Sequence, residues 1–341
     1  MLCEITATPL EEMLPMKIQH IIMPVLAAAV VLGAEGCSSD SGSAPKGKVV
    51  EYSSVGDSNE WFVAFAHELE KEADKRGYQL RVRHAQAKIE KQIADVEDIV
   101  SRKPDYLILG PIDTKGSAGA LQIARNAGVP VIVVNRDIAG RHGEDYVTKI
   151  YSDFNWIGEK MAEEIHEAFP ADWKKIRVVE LHGTPGGGNT IGMSEGFRKK
   201  MDQYDNMEIV ASQLGDFRAD VAQNSMENII QSGVKFDAVV CHFDTEAMGA
   251  MLALKDAKRK TGSDPSKGEI IIVGNGGTKD GLKAVKAGEY HTIVSVTPYY
   301  ANQVFDAIEA HASGKKLAPY IRVEDIIIDK DNVDEHMDSG F

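Results

Sequence analysis

Three groups of residues in this chain have types and spacings that could carry chemistry. The first is Gly183-Thr184-Pro185-Gly186-Gly187-Gly188-Asn189-Thr190. It has the G-x4-G-x-[ST] spacing of a phosphate-cradling loop, but Asn189 stands where the phosphate-engaging lysine belongs. No G-x-G-x-x-G fingerprint follows the first predicted strand either. What remains is a glycine-rich helix N-terminus that lines a cleft and offers backbone N–H donors. The second is His67-Glu68-Leu69-Glu70, which starts like a zinc-protease helix but has Lys71 at the position of the second histidine. It reads as a solvated helix face. The ten histidines are scattered without a paired His/Cys cluster, so no metal site is expected. No serine sits in G-x-S-x-G and no nucleophile is assembled with a base, so neither an enzyme nor a cofactor is expected.

The third group is a set of polar and aromatic residues: Ser58, Asn59, Trp61 and Phe62; Asn135, Arg136 and Asp137; Phe217 and Arg218; Phe243 and Asp244; and Asn275. Each has an ordinary alternative. Trp61 and Phe62 suit a core, and Asp137 or Asp244 suits a helix cap. Together they have the chemistry of a sugar site. Aromatic rings cover the C–H faces of a pyranose or furanose, while Asn, Asp and Arg hydrogen-bond its hydroxyls.

These residues need elements to position them. From Gly47 onward, short β-rich runs alternate with helical stretches. Strands are predicted at 48–53, 79–83, 106–109, 129–134, 147–151, 177–181, 209–213, 238–242, 270–274 and 292–296. Several are continuous Val/Ile/Leu runs, the mark of strands buried on both faces of a parallel sheet. Helices are predicted between them: residues 61–76 place Phe62, Phe65, Ala66, Leu69 and Ala73 on one side, and residues 89–101 repeat the pattern with Ile89, Ile93, Val96 and Val100. Strict β-α alternation implies α/β architecture with doubly wound parallel sheets. Ten strands are too many for one open sheet of this length, so two lobes of five or six strands are expected. The third group then falls just past strand C-termini, the edge where such folds bind ligands.

The composition agrees. The chain has 341 residues, is 43% hydrophobic and 26% charged, and is globular rather than disordered or disulfide-stapled. Lys+Arg 38 against Asp+Glu 52 gives a formal charge of −14, which excludes a general attraction for nucleic acid. Cys3, Cys37 and Cys241 form no framework. Residues 21–34 are an uncharged apolar run preceded by Lys17 and His20, too short for a comfortable membrane span and suited to an export signal. Glu4, Glu11 and Glu12 suit no such signal, so translation is expected from Met16. Leu32-Gly33-Ala34-Glu35-Gly36-Cys37 resembles a bacterial lipobox, which makes Cys37 the expected lipidation site, followed by a Ser/Gly tether. The protein is therefore expected in the periplasm or at the cell surface as a membrane-anchored lipoprotein.

The chain resembles the type I periplasmic solute-binding proteins of sugar ABC transporters, in the ribose- and galactofuranose-binding branch. The likeness is carried in order by SNEWFVAFAHELEKEADKRG, PDYLILGP, AGVPVIVVNRD, YSDFNWIGEKMAEE, VVELHGTPGGG with SEGF, ASQLGDF, CHFDTEAMGA and IIVGNGGTKDGLKAVKAGE. The resemblance implies two lobes joined by three crossings, near residues 151–153, 295–297 and 318–321, which close on a ligand as a hinge. The expected organisation is a signal segment at 1–36, a tether at 37–46, a first lobe of 47–152 plus 297–319, and a second of 153–296 plus 320–341. It implies ligand contacts at Asn59, Trp61, Phe62, Asn135, Arg136 and Phe217, with Asp244 close by. Asn135 stands where the ribose branch has Asp. A family Arg falls on Met193, an Asn on Phe243, an Asp on Gly276 and a Gln on Val296, so the second-lobe wall is expected to be more apolar. Either the ligand has an apolar side, or backbone at 186–188 and 276–277, with Asn189 and Asn275, replaces the lost hydrogen bonds. The implied function is capture of a sugar-like solute by a monomer that delivers it to an ABC permease. The alternative is ligand sensing for a membrane chemoreceptor or sensor kinase.

Overall fold

The computed structural model describes residues 47–341; the signal segment, Cys37 and the whole tether lie outside the described residues. In chain order the strands are β1 (Val49–Ser54), β2 (Gln79–His84), β3 (Tyr106–Leu109), β4 (Val131–Val134), β5 (Thr148–Ser152), β6 (Ile176–His182), β7 (Met207–Leu214), β8 (Ala238–Cys241), β9 (Thr261–Gly262), β10 (Ile270–Gly276), β11 (Thr292–Ser295), β12 (Tyr320–Val323) and β13 (Ile327–Asp329). The helices are α1 (Glu60–Arg76), α2 (Ile89–Ser101), α3 (Ala118–Asn126), α4 (Phe154–Glu167), α5 (Gly188–Met201), α6 (Ala219–Gln231), α7 (Asp244–Asp256), α8 (Lys279–Ala287), α9 (Ala301–Ala312) and α10 (Val333–His336).

Two sheets result. The first has the order β12-β5-β4-β3-β1-β2 and is parallel throughout. The second runs β13-β11-β10-β8-β6-β7, with β9 against β10, and is parallel except for β13, which returns antiparallel to β11. The central strands β3, β4 and β8 are buried at every position, which is why they read as unbroken apolar runs. Local chemistry sets the helix starts. Asn59 caps α1 by accepting the Trp61 amide at 2.8 Å, and Asp153 caps α4 by accepting the Trp156 amide at 3.1 Å. Gly77 ends α1 in the left-handed conformation at φ 73°.

The chain crosses between sheets three times: between β5 and α4, between β11 and α9, and between β12 and β13. The third crossing departs from the sequence expectation. Tyr320 pairs with Lys149 and Val323 with Ser152, so 320–323 belong to the first sheet and the chain leaves it only at residues 324–326. Tyr-Ile-Arg-Val is a short edge strand whose half-buried positions give no continuous apolar run, and no strand was expected there. Asp325 lies in this crossing and accepts the Thr297 amide of the second crossing at 3.3 Å; burial pushes its carboxyl up to about 7.

Candidate functional site

The C-terminal edges of both sheets face one cleft of about 600 Å³, within the range of small-molecule pockets, roughly 300–1,000 Å³. Ser58, Asn59, Trp61, Phe62, Asn135 and Arg136 line it from the first lobe, and Asn189, Phe217, Arg218, Phe243 and Asn275 from the second.

On the first-lobe side, Trp61 and Phe62 occupy the first turn of α1, where the cap from Asn59 fixes their direction. Trp61 is only 4% exposed and stacks on Phe65 at 5.1 Å, so it is part of the core as well as of the cleft. Its Nε1 donates to the Val296 carbonyl at 3.1 Å, tying α1 to the second crossing. Asn135 ends β4 in the left-handed region at φ 69°, a conformation that asparagine tolerates better than most residues. Its amide donates to the Tyr300 hydroxyl at 3.2 Å, while its Oδ1 is buried without a protein partner. Arg136 is 5% exposed. Its guanidinium lies 5.7 Å from the ring centres of both Phe62 and Phe217, and Nη1 donates to the Ile112 carbonyl at 3.1 Å. Nε has no protein partner. Burial lowers the guanidinium pKa to about 10, partly offset by Tyr52 and Asp216.

On the second-lobe side, Phe217 lies against Gly183, where any Cβ would collide with its ring. The glycine loop thus opens space for an aromatic wall. Phe217 and Phe243 meet edge to face, with ring centres 6.4 Å apart. Asn189 presents an Oδ1 that is buried and unpartnered. Asn275 spends its Nδ2 on the Val294 and Ser295 carbonyls, at 2.8 and 3.3 Å.

Three expected site residues lie elsewhere. Asp137 pairs with Lys149 at 2.5 Å beside a separate hollow. Met193 is fully buried in the core on α5. Asp244 is fully buried at the start of α7. It accepts the amides of Gly277 and Thr278, both at 2.7 Å, and the Tyr290 hydroxyl at 3.1 Å. Burial raises its carboxyl to about 6, with these bonds opposing. Asp244 therefore organises the 276–278 turn rather than contacting a solute. The expected apolar wall is correspondingly revised: Phe243 and Val296 reach the cleft, Met193 and Gly276 do not. Of the alternative set, Asn189 and Asn275 line the cleft, while Gly186, Gly187, Gly188, Gly276 and Gly277 do not.

Sequence reasoning did not select Val55, Ala87, Ile112, Phe154, Thr184 and Asp216, which also line the cleft. Val55 directly follows β1 and Ile112 comes three residues after β3, and the rule that selected Ser58 and Asn135 reaches them too. Asp216 is the consequential omission. It adjoins Phe217, accepts the Thr184 hydroxyl at 2.8 Å, and sits in left-handed geometry that a sequence does not display. A larger hollow, about 890 Å³, lies at the opposite edge of the first sheet around Val131, His142 and Lys315. It lacks convergent unpartnered polar atoms, so the chemistry points to the interlobe cleft. Among the described residues no group of His, Cys, Asp and Glu is placed to hold a metal, and no helix is long and apolar enough to cross a membrane.

Known proteins match this architecture. The periplasmic binding protein domain family matches residues 50–316. The galactofuranose-binding protein of Escherichia coli K12 is 31% identical over 77% of this chain and 81% of its own. The ribose import binding protein of Bacillus subtilis 168 is 31% identical over 76% and 80%. The solved binding component of the arabinose ABC transporter of Shewanella sp. ANA-3, bound to L-arabinofuranose, is 31% identical. It superposes with a TM-score of 0.79 over 85% of this chain and 95% of its own. These relatives bind solutes rather than transform them. The chain belongs to the type I periplasmic binding proteins, in the branch that includes the ribose- and galactofuranose-binding proteins.

Proposed function

We propose that the protein captures a furanose sugar in the interlobe cleft and hands it to an ABC importer. The observation that carries this is that three residues with a buried, unpartnered polar atom, Asn135 (Oδ1), Arg136 (Nε) and Asn189 (Oδ1), all line one cleft walled by aromatic rings. A buried polar group left unpaired costs about 1–3 kcal/mol, which a hydroxylated ligand with C–H faces relieves. The relatives named for galactofuranose and ribose, and the arabinofuranose-bound structure, support a furanose of five or six carbons. Phe217, Phe243 and Val296 face the second-lobe side of the ligand and favour an edge without hydroxyls there, as in a deoxy or O-methylated furanose.

A thermal-shift and calorimetric panel tests this: methyl β-D-galactofuranoside, its 6-deoxy analogue, L-arabinose, D-ribose and free hexopyranoses. A sugar present at 100 times its dissociation constant is expected to stabilise the protein by about 2.7 kcal/mol. No shift with any furanose would reject the sugar reading. A preference for the fully hydroxylated furanoside over its deoxy analogue would reject the apolar edge alone.

We also propose that the mature protein is anchored through a lipidated Cys37, since an apolar run suited to an export signal is followed by this cysteine and a Ser/Gly-rich stretch. Cys37→Ser is expected to move the protein from the membrane to the soluble periplasmic fraction. A wild type already wholly soluble would reject the anchor.

A further inference from the structure

Behind the second-lobe wall, and outside the cleft, lies Glu246, the third residue of α7, which is fully buried. Its Oε1 accepts the Phe217 amide at 2.7 Å, and its Oε2 accepts the Phe243 amide at 3.0 Å. These amides belong to different loops, one after β7 and one after β8, and each loop presents one ring of the wall. The first loop is strained, because Asp216 and Phe217 are consecutive non-glycine residues with φ 56°. Such a conformation persists where its surroundings over-determine it. Here the neighbouring Thr245 hydroxyl holds the Phe217 carbonyl at 2.8 Å, and Glu246 holds its amide.

We propose that Glu246 is a positioning residue of the solute site, setting the placement of Phe217 and Phe243 from a point that no solute touches. The inference rests on the reading of the cleft as a solute site. The chemistry requires a carboxyl group. Two N–H donors converge on two oxygens, both of which keep acceptor capacity in a carboxyl, whereas an amide side chain would turn a further donor toward one of them. The titratable groups that act on or are acted on by Glu246 are Asp216, Cys241 and Tyr290. Burial is the main cause that pushes its carboxyl up to about 8, with the amide bonds opposing. The folded loops therefore favour the protonated group, and its ionisation loosens them as the pH rises through about 8.

The experiment compares the full chain with Glu246→Gln by hydrogen exchange at the 214–218 and 242–244 loops, alongside titration with methyl β-D-galactofuranoside and L-arabinose. In Glu246→Gln, exchange at both loops is expected to rise about tenfold while the β6, β8 and β10 strands keep their protection. Affinity for the bound sugar is expected to fall about tenfold. Wild-type affinity should fall from about pH 6.5 to about pH 9 as Glu246 ionises, and this slope should vanish in the variant. Unchanged exchange at both loops, or a slope that survives in Glu246→Gln, would overturn the proposal. Should the variant not fold, wild-type exchange over the same pH range decides, after correction for intrinsic chemical exchange. Loop protection must fall as the pH rises, and a flat profile overturns the proposal. If neither sugar binds the wild type, the exchange comparison still decides the role of Glu246, and the sugar reading fails by itself.

Discussion

The two lobes furnish their halves of the cleft by different means. In the first lobe, cleft residues stand at element ends and are aimed by immediate neighbours: Asn59 caps the helix that carries Trp61 and Phe62, and Asn135 and Arg136 follow β4 directly. Its buried charge in the cleft is a cation, Arg136, without an acidic partner within salt-bridge distance among the described residues. In the second lobe, Phe217 and Phe243 are held from behind by a buried carboxylate, and Asp244 braces the next turn in the same way. The difference assigns the lobes different liabilities. A substitution at the first-lobe cleft residues is expected to act at the cleft itself, whereas one at Glu246 or Asp244 is expected to act through the loops that shape the wall.

The sharpest test of that contrast is Trp61→Ala, because Trp61 lines the cleft, packs in the core and bonds the second crossing. The lost stack on Phe65 and the lost bond to Val296 are expected to cost about 3–5 kcal/mol of stability, read by denaturant unfolding. A loss below about 1 kcal/mol would show that Trp61 is a platform and no part of the core.

Arg136→Met follows. The side chain keeps its approximate volume between Phe62 and Phe217 but removes the guanidinium. Affinity for the bound sugar is expected to fall about a hundredfold, because charge-assisted hydrogen bonds are lost. The melting temperature should hold or rise, because an incompletely paired buried cation is removed. Intact affinity would move the polar end of the site to the second lobe.

The pH dependence of stability comes next, and it locates the contrast in space. Asp244, Asp325 and Glu246 have carboxyls raised by burial to about 6, 7 and 8, in the second lobe and the third crossing. Folded protein therefore retains protons that unfolded chains release near pH 4, so stability falls as the pH rises through this range and levels off above about pH 8. Glu180 runs the other way. Hydrogen bonds from Arg198 and Ser212, with the His242 ring 3.5 Å away, outweigh its burial and hold it well below the usual carboxylate range, so its contribution is lost only in acid. A fall of about 5 °C or more in melting temperature between pH 5 and pH 8.5 is expected. Hydrogen exchange should loosen first around α7 and the 324–326 crossing. Equal loosening of β1, β3 and β4 would break the comparison.

The smallest effect is expected from Gly186→Ala, which probes where the lobes meet. Thr114 of the first lobe donates to the Gly186 carbonyl at 3.2 Å, and Gly186 has φ 84° with the Asp113 carboxylate where a Cβ would sit. Left-handed strain of about 1–2 kcal/mol is expected to weaken closure and lower affinity several-fold. Small-angle scattering of the saturated protein should show a larger radius. An unchanged radius and affinity would remove this contact from the closure.

The sequence by itself determined the two-sheet architecture, ten of the strands and the first-lobe cleft residues Ser58, Asn59, Trp61, Phe62, Asn135 and Arg136, for a physical reason. Runs such as Val131-Ile-Val-Val are apolar because both faces of β4 are buried, and the residues just past such strands must face the sheet edge. The same logic reached Phe217, Phe243 and Asn275, because they too follow strands. It failed where a role depends on groups distant in sequence. Asp244 and Met193 carry no local sign that one braces a turn formed some thirty residues later and the other is covered by core packing. Asp216 and Phe217 acquire their left-handed geometry from Glu246, 29 residues beyond Phe217. The third crossing was placed too early because β12 is an edge strand, half-buried and only four residues long, whose membership is decided by pairing with Lys149 through Ser152. Periodicity and strand ends are local properties that a chain displays before it folds. The partner of a buried carboxylate is chosen only when the loops converge, because only then does desolvation make an unpaired amide or carboxylate costly.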